Sequence, residues 1–196
     1  MKLYGSYTSP FVRHCRIALL EGQAKGALEC EFIETDIVES GKLSPTKKVP
    51  FLTDTLNNEE VELTDSASIL MYLREQSGQT FFKSANDFNL FSNVNTVLDA
   101  AVNLFFLELK DKILPTEGSY LERHRERVLS GLQYFNQQEY SSQAPFTDGE
   151  LRLACFLDWG LFRKRINIDG LDNLQALLNA ARSYDVFAQT APPAGA

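Results

Sequence analysis

The sequence predicts a mixed α/β region followed by an all-helical region, and the main evidence is a change of pattern near residues 78–86. Before this junction, short β-like segments alternate with helical ones, whereas after it the apolar residues recur almost only at helical spacing. A length of 196 residues suits one compact protein or two small domains. We therefore expect an α/β domain over residues 1–79, a linker over 80–85 and an all-helical domain over 86–196.

The first region is predicted to be β-α-β followed by β-β-α. Pro10 suits the first position of a helix, Gly22 ends the helical pattern, and alternation in residues 28–33 predicts a second strand. The two strands of a β-α-β unit are expected to lie parallel in one sheet. In chain order the elements are a strand at 2–4, a helix at 10–21, strands at 28–33, 49–54 and 61–63, and a helix at 65–75.

The second region is predicted to contain three helices. The first carries an apolar face whose residues are spaced by three and four, namely Phe91, Val94, Leu98, Ala101, Phe105 and Leu109. A second helix is predicted over residues 121–135. A third, over 151–162, is apolar on nearly all sides and should therefore be buried. Thr147 and Glu150 fit a capping box at the start of this third helix.

Charge and cysteine content argue against several classes of partner and site. There are 19 Lys and Arg residues against 26 Asp and Glu, and the resulting net charge of −7 disfavours nucleic acid as a partner. Cys15, Cys30 and Cys155 are odd in number and form no CxxC pair, so we expect reduced thiols, no metal site and a cytoplasmic location. No apolar run approaches the roughly 20 residues of a membrane span, so no membrane association is expected.

Hydroxyl residues are concentrated where the first strand should turn into the first helix, in the segment Ser6–Arg13. With Pro10 at the first helical position, Ser9 is the expected N-cap. An N-cap oxygen lies beside unpaired backbone N–H groups and the positive end of the helix dipole, where an anion or a thiolate is favoured. A serine that only caps the helix explains the segment equally well.

Two further segments could bind a peptide-like ligand. A cis bond between Val49 and Pro50 would turn the backbone groups of Val49 towards solvent, although an ordinary trans proline at a strand start is the alternative. At the start of the helix at 65–75, the N–H of Ser66 could receive a carboxylate and Asp65 an ammonium group. Capping alone also explains these two residues.

Together and in this order, the three segments resemble motifs of the glutathione transferase family, which has a thioredoxin-like N-terminal domain and an all-helical C-terminal domain. The matching segments are Ser6–Arg13, Lys48–Leu52 and Asp65–Leu73, and the resemblance spans nearly the whole chain. The capping box in Thr147–Leu151 resembles a helix-initiating signal of the family, and residues 187–193 resemble the ending of a small bacterial branch. The resemblance implies a bacterial, cytosolic homodimer with glutathione as co-substrate.

The resemblance also implies the roles of individual residues. Ser9 is the donor that stabilises the glutathione thiolate, with Thr8 as the runner-up, while Asp65 and Ser66 bind the γ-glutamyl end. The Val49–Pro50 bond is then expected to be cis, so that the cysteinyl backbone pairs with Val49. The other implied glutathione-binding residues are Phe11, Lys48 near the glycyl carboxylate, and Asp99 reaching across from a partner subunit. A solvated carboxylate on a helix face explains Asp99 equally well.

Departures from the family pattern bear on the reaction. Ser9 replaces the cysteine of the thiol-exchanging branches, and Cys15 is interpreted as a core residue. Tyr4 and Tyr7 are rivals for the thiol contact. The leading hypothesis is conjugation of glutathione to a small hydrophobic electrophile. The alternatives are a glutathione-dependent reductase or peroxidase and a noncatalytic scaffold for protein interactions. Phe105, Phe106 and Trp159 could line the electrophile pocket, but core packing is the preferred interpretation for each.

Overall fold

The computed structural model describes residues 1–56 and 58–193. Contacts within the chain divide it into two compact units. The first consists of Met1–Phe81 together with the C-terminal segment that begins at Asp185, and the second is Phe82–Tyr184. The sequence analysis placed residues 185–193 in the helical domain, whereas their contacts are with the first unit. The boundaries of functional domains stay a prediction.

The first unit is built on a four-stranded mixed sheet with the order β2-β1-β3-β4. Strand β1 pairs parallel with β2 and antiparallel with β3, and β3 pairs antiparallel with β4. This is the thioredoxin-like arrangement expected from the sequence. The elements are β1 (Lys2–Gly5), α1 (Pro10–Ala24), β2 (Glu31–Glu34), α2 (Ile37–Leu43), β3 (Phe51–Leu56), β4 (Glu59–Leu63) and α3 (Ser66–Gln76).

The core of the first unit lies between the sheet and helices α1 and α3. Leu3 of β1 and Leu52 of β3 are fully buried and are direct partners in the sheet. Ile17 of α1 and Leu70 of α3 are fully buried as well. Burying large apolar side chains supplies most of the free energy that holds such layers together, about 1.5–3 kcal/mol for each side chain.

Helix α2 is an element that the sequence analysis did not predict. Its seven residues, IVESGKL, show no regular apolar spacing. The helix begins because Asp36 caps it: one carboxylate oxygen accepts hydrogen bonds from the backbone N–H groups of Val38 and Glu39, both at 2.8 Å. Asp36 is a residue type that caps helices, but α2 has no apolar stripe from which a helix could be predicted.

The second unit is helical throughout its regular structure. Helix α4 (Ala85–Phe106) starts six residues before the predicted apolar face because Ser84 caps it, and it continues into one π-helical turn, Leu107–Asp111. A 3-10 turn (Pro115–Glu117) leads into α5 (Ser119–Asn136), which is followed by α6 (Asp148–Phe162) and α7 (Asp172–Arg182). Helix α7 was missed, although its buried residues have helical spacing: Leu174, Leu177, Leu178 and Ala181. The last helix, α8 (Asp185–Gln189), belongs to the first unit.

One expectation about apolar runs needs correction. Among the described residues, the helical stretch Ala85–Asp111 is long and apolar enough to cross a membrane. Length and composition alone are weak evidence, because the core helix of a soluble protein passes the same test. Helix α4 packs against α5 and α6 and buries Val94 and Leu98 completely. Its apolar face is therefore used within the second unit.

Two buried carboxylates, Glu150 and Asp87, stabilise the start of α6. The capping box is present: Thr147 Oγ1 accepts from the N–H of Glu150 at 3.2 Å, and Glu150 Oε2 accepts from the N–H of Thr147 at 2.7 Å. Glu150 Oε1 also accepts from the N–H of Ser141 at 2.7 Å. Asp87 of α4 accepts from the N–H of Gly149 at 2.8 Å, and a Cβ at position 149 would lie only 2.7 Å from Asp87 Oδ1. Position 149 therefore requires glycine.

We expect Glu150→Ala to lower the free energy of unfolding by about 2 kcal/mol or more, because two part-buried N–H groups lose a charged acceptor. Urea denaturation followed by circular dichroism measures the change. Glu126→Ala, on the exposed face of α5, is the matched control and should change stability by less than about 0.5 kcal/mol. Equal losses in the two variants would contradict the role given to Glu150.

Candidate functional site

The strand register brings three chain segments to one edge of the sheet. Because β1 and β3 are antiparallel and Tyr4 pairs with Phe51, the end of β1 lies beside the start of β3. Because β3 and β4 are antiparallel and Leu52 pairs with Leu63, the end of β4 lies there too. The segments that leave or enter the sheet at this edge are Ser6–Ser9, Lys48–Pro50 and Thr64–Ser66. They are the three segments that the sequence analysis singled out.

Ser9 is the N-cap of α1. Its backbone is extended (φ −82°, ψ 128°), and its Oγ accepts a long hydrogen bond of 3.4 Å from the N–H of Val12. Accepting this bond uses an oxygen lone pair and leaves the hydroxyl hydrogen free to be donated. The first turn of α1 can lie close to β1 because position 5 is glycine: a Cβ there would be 2.5 Å from Val12 Cγ2.

The hydroxyl of Thr8 is engaged within the loop. Thr8 Oγ1 and Ser6 Oγ are hydrogen-bonded at 3.1 Å, and the N–H of Thr8 donates to Ser6 Oγ at 3.3 Å. Ser9 adds a backbone bond, since its N–H donates to the carbonyl of Ser6 at 3.1 Å. Either hydroxyl of the Ser6–Thr8 pair can be the donor, so the choice of Ser9 over Thr8 as the donor to a ligand stays a prediction.

The two tyrosines considered for the thiol contact pack against aromatic and charged neighbours. The ring of Tyr4 stacks on Phe51 with a centroid distance of 4.4 Å and an interplanar angle of 5°. The ring of Tyr7 lies 4.9 Å from that of Phe32, and the guanidinium of Arg16 lies 4.5 Å from the Tyr7 centroid. Both rings therefore have a packing role.

The start of α3 combines a cap and an open carboxylate oxygen. Asp65 is the N-cap, and its Oδ1 accepts from the N–H groups of Ala67 at 2.8 Å and Ser68 at 3.4 Å. The Asp65 side chain is exposed, so its second oxygen can take a ligand ammonium group while the first caps the helix. Ser66 is buried at the first helical position. Capping and ligand binding are thus compatible at this residue pair.

The loop before β3 has the backbone conformation that the resemblance implied. The Val49–Pro50 peptide bond is cis, and a second cis bond, Ala144–Pro145, was not foreseen. Val49 is half-buried, and within the described part of the chain its N–H and carbonyl have no hydrogen-bonding partner. Lys48 is exposed and Phe11 is half-buried. Asp99 lies on α4 in the second unit with its side chain exposed, and its proposed reach into a partner's site stays a prediction.

The three cysteines do not contribute a reactive thiol to the candidate site. Cys15 is fully buried, and its thiol donates to the carbonyl of Ser66 at 3.7 Å, which joins α1 to the start of α3. Cys155 is fully buried in α6. Burial raises the pKa of the Cys30 thiol to about 11. The described residues contain no group of three or more His, Cys, Asp or Glu side chains that could hold a metal ion.

The aromatic residues considered for an electrophile pocket pack together in the second unit. The ring of Phe105 lies 5.8 Å from that of Trp159 and 5.2 Å from that of Phe106, both edge to face. Trp159 is only 4% exposed. The preference for core packing over substrate contact is therefore supported for Trp159, whereas Phe106 is 38% exposed.

We expect the Cys30 thiol to be nearly inert at neutral pH. With a pKa of about 11, about 0.1% of it is thiolate at pH 8, and the fraction should rise about tenfold for each pH unit up to pH 10. Iodoacetamide labelling followed by mass spectrometry of the Cys30 peptide measures the rate, with Cys30→Ser as the control. A labelling rate that levels off near pH 9 would contradict the raised pKa.

Comparison with known proteins adds the following findings. Residues 3–81 match the family described as glutathione S-transferase, N-terminal domain. No curated protein matches the chain in sequence. The structure of a glutathione S-transferase from Methylobacillus flagellatus KT, with glutathione bound, matches with a TM-score of 0.80 and 20% identity over 98% of this chain and 99% of that chain.

Two further solved structures share the fold over nearly their whole length. A glutathione transferase family member from Pseudomonas fluorescens Pf-5, with bound S-(propanoic acid)-glutathione, has a TM-score of 0.78 and 22% identity over 98% of this chain and 100% of that chain. A maleylacetoacetate isomerase from Anaeromyxobacter dehalogenans 2CP-1, with glutathione in its active site, has a TM-score of 0.75 and 19% identity over 97% of this chain and 94% of that chain. At these identities the likeness is one of fold.

Proposed function

Because residues 3–81 belong to the glutathione S-transferase N-terminal domain family, we propose that this protein is a glutathione transferase. It binds glutathione and stabilises the thiolate for attack on a small apolar electrophile. The observation that carries the proposal is the strand register, which brings a hydroxyl-capped helix start, the Val49 backbone and a second helix start to one edge of the sheet.

An extended tripeptide has a complementary group at each point along this edge. The γ-glutamyl carboxylate is assigned to the N–H of Ser66 and its ammonium group to the outer oxygen of Asp65. The backbone of the cysteinyl residue pairs with Val49, whose N–H and carbonyl have no partner in the described chain. Phe11 lines the cysteinyl end, and exposed Lys48 approaches the glycyl carboxylate.

The energetic requirement on the thiol site is modest. A thiol with a pKa of about 8.5 is only a few per cent ionised at neutral pH, and lowering the pKa by two units requires about 2.7 kcal/mol of preferential stabilisation of the thiolate. A hydroxyl hydrogen bond from Ser9 to a charged sulfur contributes about 1.5–3 kcal/mol. The positive end of α1 adds about 0.3–1 kcal/mol. Together the two contributions amount to about 1.8–4 kcal/mol, a range that includes the requirement of about 2.7 kcal/mol.

The reaction needs no protein nucleophile and no general base. The thiol proton leaves to solvent when the thiolate forms, the sulfur lone pair forms a C–S bond, and the leaving group departs with the bonding electrons. Ser9 occupies the position at which thiol-exchanging relatives carry cysteine, and Cys15 is fully buried. These features favour conjugation over disulfide exchange through the protein.

The second unit contains a small surface cavity of its own. A cavity of about 180 Å³ is lined by residues from the end of α4, the π-helical turn and the start of α5. Its lining residues are Asn103, Leu104, Leu107, Tyr120, Leu121 and His124. Leu109 and Leu114 of the same unit are exposed. A small hydrophobic electrophile is the proposed substrate class, as the resemblance to the family implies.

We expect glutathione to bind with a depressed thiol pKa. Calorimetric titration measures binding, and thiolate absorbance against pH should give a pKa about two units below that of free glutathione. Ser9→Ala should raise the thiol pKa most of the way back to that of free glutathione, while glutathione still binds. Thr8→Ala should raise this pKa less. Ser130→Ala, on the exposed face of α5, is the control.

Several outcomes of this titration would overturn parts of the proposal. Absence of binding would overturn the enzyme assignment and favour the noncatalytic scaffold. Binding with an unshifted thiol pKa would indicate a carrier, and a larger effect of Thr8→Ala would show that the wrong hydroxyl was chosen. Peroxide consumption without conjugation of any electrophile would favour the peroxidase alternative.

A homodimer is part of the proposed function. Large apolar side chains are exposed on helices of both units, including Met71 at 55% and Phe88 at 54%. Light scattering coupled to size exclusion should give about twice the chain mass of 22.1 kDa. Asp99→Asn should then weaken glutathione binding by a few fold, with Asp111→Asn as the control. A particle of the single-chain mass would remove the basis for any contact by Asp99.

We also propose that the protein is a cytoplasmic, bacterial enzyme. The family to which residues 3–81 belong, the lack of a disulfide among the three cysteines and the bacterial sources of the three structures compared above support this assignment. Cell fractionation of the source organism, with detection of the chain by antibody, tests the location.

A further inference from the structure

The C-terminal segment, defined here as residues 185–193, packs on α1 through two arginines that follow Ser9. Arg13 is 3% exposed, and Phe187 and Thr190 are fully buried. Arg13 Nε donates to Thr190 Oγ1 at 3.3 Å and Arg13 Nη2 donates to the carbonyl of Phe187 at 3.0 Å. The guanidinium carbon also lies 3.9 Å from the centroid of the Phe187 ring. A buried cation thus joins the first turn of α1 to the end of the chain.

Arg13 acts directly on the turn that contains Ser9. The N–H of Arg13 donates to the carbonyl of Ser9 at 3.0 Å, which is the first hydrogen bond of the helix. Residues four apart lie on the same side of a helix, so Arg13 stands one turn behind the cap. The capping bond itself, from the N–H of Val12 to Ser9 Oγ, is long at 3.4 Å. The direction of the Ser9 hydroxyl therefore depends on how firmly this turn is held.

Arg16 also contacts the C-terminal segment, and it joins this segment to the loop before Ser9. Its Nη1 donates to the carbonyl of Thr190 at 3.2 Å, and its guanidinium lies 4.5 Å from the ring of Tyr7, just before Thr8 and Ser9. Burial lowers the pKa of the Arg16 guanidinium, as expected for a cation enclosed by this packing. The hydroxyl oxygen of Thr190 thus accepts a hydrogen bond from Arg13, and its carbonyl oxygen accepts one from Arg16. Thr190 Oγ1 in turn donates to the carbonyl of Phe187 at 2.8 Å.

We propose that Arg13, anchored on Thr190 and Phe187 of the C-terminal segment, is a positioning residue for the thiolate-stabilising hydroxyl of Ser9. The inference rests on the proposed glutathione transferase function. Arg16 holds Tyr7, and Arg13 holds the first turn of α1. Thr8 and Ser9, which lie between Tyr7 and this turn, are therefore held on both sides. A hydroxyl aimed in advance stabilises the thiolate without paying for reorientation when the charge forms.

The test variant is Thr190→Val, which keeps the shape of the side chain and removes only its hydroxyl. Its expected effect is a rise of half to one unit in the pKa of bound glutathione, from about 6.5, equivalent to about a two- to sixfold loss of kcat at pH 6.5 with a model electrophile. The loss should disappear at a pH above the shifted pKa, where the thiolate forms without help. The KM for glutathione should change less than twofold, because Thr190 lies outside the assigned subsites.

Two further variants accompany it. Arg13→Lys keeps the charge but cannot make both side-chain hydrogen bonds, so it should shift the pKa in the same direction. Arg182→Lys is the matched control: it weakens an arginine contact to Asp158 in the second unit, at 2.9 Å, and should leave the pH profile unchanged. Thermal melting by circular dichroism confirms that each variant is folded.

The outcomes separate the two levels of the proposal. A wild-type protein that binds glutathione without lowering its thiol pKa overturns the proposed function and this inference together. A depressed pKa that Thr190→Val leaves unchanged overturns the inference alone. So does a loss of kcat that is equal at every pH, because a merely structural defect would act in that way.

Discussion

The sheet register is the constraint on which the rest of this structure depends. Strand β3 lies between β1 and β4 and runs antiparallel to both, so three chain segments meet at one edge. A slip of one residue would move Leu52 from the core to the opposite face of the sheet. Because Leu3 and Leu52 are fully buried partners, the apolar core that holds the register also decides where the candidate site forms.

Features that depend on near neighbours in the chain could be predicted from the sequence. Ser9 and Asp65 each cap a helix, and the Thr147 capping box is present, because a cap is specified within about four residues. Strand alternation predicted the order of the strands along the chain, although β2 spans Glu31–Glu34 rather than residues 28–33, while the order within the sheet comes from the structure. The candidate site follows from both, since the residues that begin each helix are also those at the shared edge.

Features with weak or distant signals could not be predicted in the same way. Helix α2 has a cap at Asp36 but no apolar stripe, while α7 has a clear stripe that was overlooked. The contact between Arg13 and Phe187 joins residues 174 positions apart, and nothing local in either segment indicates it. Arg13 was noticed only as part of a motif, because a role that depends on burial and on a distant partner is invisible in the linear sequence.

The path of the chain has a consequence for the order in which the protein matures. The chain leaves the first unit after Phe81 and returns to it at Asp185, so a ribosome makes α1 long before the segment that packs on it. Until residues 185–193 emerge, Arg13 and Arg16 lack the carbonyls and the hydroxyl that hold them. In a nascent chain, the turn that contains Ser9 therefore becomes fully anchored only once translation has passed Thr190.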